Sequence, residues 1–420
     1  MIQISDKHNC CGCAACVQAC PKQCISFDED EQGFRYPKVD TSLCIDCHLC
    51  ERVCPVLNQA EPRKPLATYA AINPDLAVRM QSSSGGIFSM LAEKTIEKGG
   101  IVFGARFDSQ FEVEHAAAHT IEGIRDFRGS KYLQSRIGNT YVEVRSLLRQ
   151  GLKVLYTGTP CQIAGLKKFL GKDADNALLL TADVVCHGAP SPKVWRSYLD
   201  LISAPKAGKN TYSLPQNARA DISAIAFRDK STGWKKYGMV VLKSSAGKSD
   251  ENSESSTLNA EKNDNVLLHE TLDKNLFMQV FLKDLCLRPA CHRCPAKAGR
   301  SGSDITLADY WGIASHHPDW DDNKGTSLLL ANSDAGAKAI AQLGARIEPT
   351  TYEQALSANP ALEHSAREHK FIGKFWQSFH ANGLTEAPSI IAQMRPSLPR
   401  RCYYLALRIL SKIYRTLLKS

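Results

Sequence analysis

The sequence predicts an α+β protein: a small N-terminal domain nucleated by metal, then a larger mixed α/β body. Three observations predict it. Cysteines crowd residues 1–58, with no long apolar periodicity among them. Residues 67–200 alternate strand-like and helix-like stretches. The length of 420 residues exceeds what one hydrophobic core usually serves. Hydrophobic residues at 43% and charged residues at 23% give a globular rather than a disordered balance.

The cysteine spacing is specific. Cys10, Cys13, Cys16 and Cys20, followed by Pro21, fit C-x2-C-x2-C-x3-C-P, and Cys44, Cys47, Cys50 and Cys54, followed by Pro55, repeat it. This is the run of bacterial two-cluster ferredoxins, in which the fourth cysteine of each run ligates the other cluster. Three close thiolates wrap one corner of a [4Fe–4S] cubane, and the distant fourth ties the two halves together. One cluster therefore takes Cys10, Cys13, Cys16 and Cys54, and a second takes Cys44, Cys47, Cys50 and Cys20. Zinc ribbons also use C-x2-C pairs, but two matching four-cysteine runs favour cubanes. Cys11 and Cys24 fall outside the pattern and read as packed free thiols.

Residues 59–66 read as a linker, because Glu61-Pro62-Arg63-Lys64-Pro65 can continue neither helix nor strand. Residues 67–200 form the first part of the body. Ile87, Leu91 and Thr95 set a helical spacing that Gly99-Gly100 stops, and Ile101-Val102-Phe103-Gly104-Ala105 follows as a buried strand. Lys153-Val154-Leu155-Tyr156 and residues 178–185 are further strands, with a helix over 163–170 between them. This βαβ rhythm favours a partly parallel sheet. Residues 201–375 complete the body, interrupted by a polar insertion at 243–265 that reads as disordered. Residues 376–420 are expected to be a separate basic tail.

Net charge is +9, but seven of the cations follow Glu386, where no acidic residue remains. The body is nearly balanced, which argues against a nucleic-acid partner. In the tail, Arg408, Lys412, Arg415 and Lys419 share one helical stripe, with Leu407, Leu410, Ile413, Tyr414 and Leu417 opposite. Such a helix suits peripheral contact with an anionic membrane or packing against protein. No apolar run approaches the ~20 residues of a membrane span, and the polar N-terminus lacks a secretory signal. A cytoplasmic location and reduced cysteines are expected.

A second constellation lies in the body. Cys286, Cys291 and Cys294 form C-x4-C-x2-C, while Cys161 and Cys186 each follow a predicted strand and so belong at one sheet edge. Four of these five could hold a third [4Fe–4S] cluster; the alternative is buried apolar cysteine. Ser82-Ser83-Ser84-Gly85-Gly86 precedes a helix, where small residues admit an anion to the backbone N–H groups or simply cap the turn. Gly129-Ser130-Lys131-Tyr132 offers hydroxyls, a cation and an aromatic face. His187 is a candidate proton donor or a turn-shaping histidine.

Taken in order, these motifs, with Arg288-Pro289-Ala290-Cys291-His292-Arg293-Cys294 and the stretch running Asp304-Ile305-Thr306-Leu307-Ala308-Asp309-Tyr310-Trp311-Gly312, resemble the coenzyme F-420 (deazaflavin) hydrogenase and dehydrogenase beta-subunit family. That family is similar to 7-hydroxymethyl chlorophyll a reductase. The resemblance implies a flavin-binding reductase body fed by the ferredoxin domain. It implies FAD held by Ser83, Ser84, Gly85, Gly86, Gly129, Ser130, Lys131 and Tyr132, with Asp304 or Asp309 orienting its ribityl chain. It further implies a third cluster on Cys161, Cys186, Cys291 and Cys294, with Cys286 in reserve. The expected activity is an oxidoreductase taking electrons from ferredoxin or another redox protein to a small organic or glycan-linked substrate, with polysaccharide biosynthesis as one setting. The alternative is a non-catalytic electron-transfer subunit of a larger complex.

Overall fold

The computed structural model describes residues 1–204, 221–244 and 265–394. The expected insertion at 243–265 lies almost wholly outside them, and so does the amphipathic stretch of the tail. Residues 376–394, assigned to the tail from sequence, belong instead to the body. Helix Ile372–Asn382 runs across that boundary, and helix Ala387–Gln393 follows it. Trp376, Phe379, Ile390 and Ile391 are buried in the body's largest apolar core.

The N-terminal domain pairs strands β1 (Ile25–Glu29) and β2 (Arg35–Val39) in an antiparallel hairpin. Its two cysteine runs share one backbone geometry. Gly12 and Asp46, each just before a run's second cysteine, have positive φ, and so do Ala14 and His48 just after it. Each left-handed step wraps the chain around a small volume, and a short helix follows, Ala15–Ala19 in one run and Leu49–Arg52 in the other.

The body is organised on an eight-stranded sheet. Its strands are β3 (Ala67–Ile72), β4 (Ile101–Phe107), β5 (Val113–Ala118), β6 (Val154–Gly158) and β7 (Leu179–Val184). A separate antiparallel sheet comprises β8 (Ile222–Asp229), β9 (Gly238–Lys243) and β10 (Val266–Thr271). The main sheet then gains β11 (Ile305–Asp309), β12 (Ser327–Ala331) and β13 (Arg346–Thr350), in the order β13-β3-β12-β11-β7-β6-β4-β5. Strands β4, β6, β7 and β11 are mutually parallel, and β3 runs the same way because β12 is antiparallel to both β3 and β11. Five strand ends therefore open on one edge, where open α/β sheets bind ligands.

Alternation explains the layers. Val102 and Leu155 face one core, while their neighbours Phe103 and Tyr156 face the other. That second core includes Cys11, Cys13, Ala14, Ala15 and Val53 of the ferredoxin domain, packed with Ile163 and Leu166 of helix Pro160–Leu170. The metal-binding domain is thus built into the body. The linker is pinned as well, since Arg63 N–H donates to the Ala298 carbonyl and Leu66 N–H to that of Ala331.

His115 on β5 ties this face together. It is buried, with Nε2 against the Thr157 carbonyl at 2.8 Å and Nδ1 against Ser135 Oγ at 2.7 Å. Burial lowers its pKa to about 4, although the bond to Thr157 opposes the shift. The unfolded imidazole then protonates first as pH falls. His115's contribution is complete above about pH 6.5 and is lost progressively toward pH 4, amounting to roughly 3 kcal/mol. Thermal unfolding followed from about pH 7 to pH 5 should show a smaller loss of melting temperature in His115→Gln than in the wild type.

Candidate iron–sulfur centres and the sheet edge

Two voids mark the ferredoxin domain. One is lined by Cys10, Cys13, Cys16 and Cys54, with Cys11 also on its wall. The other is lined by Cys20, Cys44, Cys47 and Cys50, with Cys24 on its wall. The crossed grouping, in which Cys20 and Cys54 have changed sides, is the one the spacing predicts. Four soft thiol donors around each void fit a cubane.

The surroundings of the two voids differ. Cys10, Cys13, Cys16, Cys50 and Cys54 are buried, whereas Cys20, Cys44 and Cys47 are partly open. The Cys20–Cys44–Cys47–Cys50 site faces outward, and the other faces the body. There Gly165 is indispensable: a Cβ on it would stand 2.9 Å from both Cβ and Sγ of Cys13.

Four body cysteines form a third group. Cys161 sits in the first turn of helix Pro160–Leu170, whose N-terminus carries a reciprocal Thr159/Gln162 capping box. Gln162 Nε2 donates to Ser135 Oγ at 2.9 Å, so the His115 network also fixes this turn. Cys186 follows β7, and Cys291 and Cys294 lie in and just after the 3-10 turn Pro289–Arg293. Their thiols influence one another. Burial pushes Cys186 up to about 12, and Cys161 and Cys294 add to the rise while Lys297 opposes it. Burial, then Cys186, raises Cys291, and burial, then Cys161, raises Cys294. The contact with Cys11, followed by burial, raises Cys161. Cys286 stands apart. It lies in the aromatic core with Phe281 and Leu285, and burial with no cysteine neighbour pushes it up to about 12. Among the described residues no three His, Cys, Asp or Glu side chains gather around a single-ion position.

The other predicted residues divide. Ser83, Tyr132 and Asp309 meet at Arg228, which sequence reading missed. Arg228 forms a two-pronged pair with Asp309, donates to the Ser83 carbonyl at 3.1 Å and contacts Tyr132 Oη at 3.3 Å. Its side chain is buried and lies over the Tyr237 ring at 3.9 Å, with Nε unpartnered. Ser130 N–H donates to Ser83 Oγ at 2.7 Å, joining the two loops. Gly86 caps helix Ile87–Glu97 without a side-chain bond, and Gly129 borders open space.

Several expectations need correction. Asp304 is outside this group. It precedes β11 whereas Asp309 ends it, so at ~3.3 Å per residue the two lie at opposite sheet edges. Its carboxylate accepts from Thr181 and Ser333. Lys131 folds back, giving its three protons to the carbonyls of Asp126, Arg128 and Gly129, and burial lowers its pKa to about 7. Gly85 is required by packing, because a Cβ would stand 2.4 Å from the Ala71 carbonyl, and its N–H already donates to Ser327 Oγ. His187 bonds a carboxylate, Asp284 at 2.6 Å, rather than backbone. Its ring meets Phe281 edge-on at 5.2 Å, and Phe281 contacts Tyr132 at 5.1 Å. This bridges the Cys186 turn to the Arg228 cluster.

Comparison with known proteins agrees with the two-part architecture. Residues 9–58 match the 4Fe-4S dicluster domain. Residues 151–354 match the C terminus of the coenzyme F420 hydrogenase/dehydrogenase beta subunit. The chain thus carries a region similar to the C terminus of that beta subunit, with a 4Fe-4S dicluster domain at its N-terminal end. A 7Fe ferredoxin of Hydrogenibacillus schlegelii is 46% identical over 43 residues, covering 10% of this chain and 49% of its own. An uncharacterized ferredoxin of Methanocaldococcus jannaschii is 32% identical over 65 residues, covering 14% and 83%. A chain of the xenon-derivatized F420-reducing [NiFe] hydrogenase complex from Methanosarcina barkeri is 17% identical, covering 76% of this chain and 92% of its own. Its TM-score is 0.45. The beta-subunit match spans Cys161, Cys186, Cys291, Cys294 and Arg228 but begins after the Ser/Gly loop.

Proposed function

We propose that this iron–sulfur beta-subunit relative is an oxidoreductase that takes single electrons from a redox protein and serves an organic acceptor at the carboxyl edge of its main sheet. One observation carries the reading: the four body thiols and the Arg228 cluster occupy that same edge, bridged by Phe281. The outward-facing set Cys20, Cys44, Cys47 and Cys50 would hold the cluster that meets the partner. Cys10, Cys13, Cys16 and Cys54 would hold the second, and Cys161, Cys186, Cys291 and Cys294 the third. Bound there, the clusters supply one-electron carriers whose potentials depend on charge, hydrogen bonding and solvent access.

FAD is the acceptor-side cofactor this reading assigns, exchanging single electrons for pairs. Its supports are the uncapped N-terminus of helix Ile87–Glu97, the open turn at Gly129 and the partnerless Arg228 Nε. His187, aimed by Asp284, would hold a proton at Nδ1 beside the substrate. A second reading, an electron-relay subunit without its own organic site, is favoured by the commitment of Lys131, Asp309 and the Gly85 N–H to internal partners. Flavin release separates the two. Anaerobically purified chain should yield about one FAD on denaturation, and Arg228→Met should lower FAD affinity tenfold or more with iron unchanged. A chain that neither contains FAD nor takes it up leaves the relay reading.

A further inference from the structure

We propose that Arg288 raises the reduction potential of the cluster held by Cys10, Cys13, Cys16 and Cys54, so that this buried cluster accepts electrons more readily than its sequence-equivalent partner. The inference rests on that ligand assignment and adds a residue 278 positions away in the chain.

Arg288 is 2% exposed, yet no carboxylate pairs with it among the described residues. Its Nε donates to the Cys10 carbonyl at 2.7 Å. One terminal nitrogen donates to Gln134 Oε1 at 3.2 Å, and the other to the Arg35 carbonyl at 2.7 Å and toward Cys10 Sγ at 3.6 Å. The guanidinium lies over the Tyr36 ring at 4.5 Å. A buried cation without a counter-charge is costly, and a carbonyl cage does not neutralise it. The anionic cluster on Cys10 is the counter-charge the arrangement lacks.

Gly12 is an independent sign that the approach is built in. A Cβ there would stand 2.9 Å from Arg288 Cζ and from Gln134 Nε2, so only glycine leaves room for both. The corresponding position of the other run is Asp46, which is exposed and pairs with the chain's amino group. One run meets a buried guanidinium where its repeat meets solvent. Reduction adds negative charge to a cluster, so a fixed cation and an N–H donor at its ligand sulfur stabilise the reduced state and raise the potential.

The test is an EPR-monitored redox titration of the whole anaerobic chain. The wave of this cluster is first identified as the one that Cys54→Ser alters. If Cys54→Ser alters none, the ligand assignment itself fails, and the inference with it. In fully loaded Arg288→Met, that wave should move to lower potential by about tenfold in the reduction equilibrium, or about 59 mV, with the others in place. Arg288→Lys, which keeps the charge but loses the fork, should shift it less, in the same direction, and decides the matter if Arg288→Met does not load. An unmoved wave in the loaded variant, or equal movement of every wave, overturns the proposal.

Discussion

Replacing Cys186 with alanine should lower iron from about twelve to about eight atoms per chain, while Cys286→Ala leaves it at about twelve. The contrast follows from position. Cys186 lies among Cys161, Cys291 and Cys294 and shares their electrostatics, whereas Cys286 is enclosed by Phe281, Leu285 and their aromatic neighbours. Iron and sulfide assays after anaerobic reconstitution read the difference directly. The reverse result would mean that residues 286–294 supply the site as a C-x4-C-x2-C unit without the Cys186 turn.

Gly165→Val should damage the body-facing metal site. Helix interiors normally gain from losing glycine, by up to about 1 kcal/mol. Here the added methyls would overlap Cys13, a wall of the Cys10–Cys13–Cys16–Cys54 void, so the helix and the metal site would have to part. Overpacking of this kind costs about 1–3 kcal/mol, and the ferredoxin domain should load that cluster poorly. The outward-facing cluster should persist, leaving iron near eight atoms if the third centre also survives. Spin quantitation alongside a thermal melt would report both effects.

Legibility tracked sequence distance. The two ferredoxin runs were readable because three ligands of a cubane come from one short loop, and the crossed fourth ligand follows from the repeat. Helix Ile87–Glu97 and strands β4, β6 and β7 were readable for a similar reason, since periodicity and a Gly-Gly stop are local signals. Arg228 and Arg288 were not readable. Their partners Asp309 and Cys10 lie 81 and 278 residues away, and an isolated arginine carries no mark of burial. Cys286 already ranked below the other four by resemblance, but the spacing alone left all five open, and its place in the aromatic core needed three dimensions. Asp304 was a different failure, because two acids flanking a five-residue strand necessarily stand at opposite ends of it. The tail boundary failed because Phe375, Trp376 and Phe379 follow a core-facing period that the basic composition further on obscured.

The central claim is that electrons entering at the ferredoxin domain reach the thiol centre at the sheet edge. Rapid-freeze EPR of the anaerobic whole chain, mixed with a reduced ferredoxin, tests it most directly. The signal lost in Cys186→Ala should appear promptly in the wild type and at least about tenfold more slowly in Cys54→Ser, where the intervening site lacks a ligand. Equal rates in the two would show that the edge centre is filled by another route and would contradict the account.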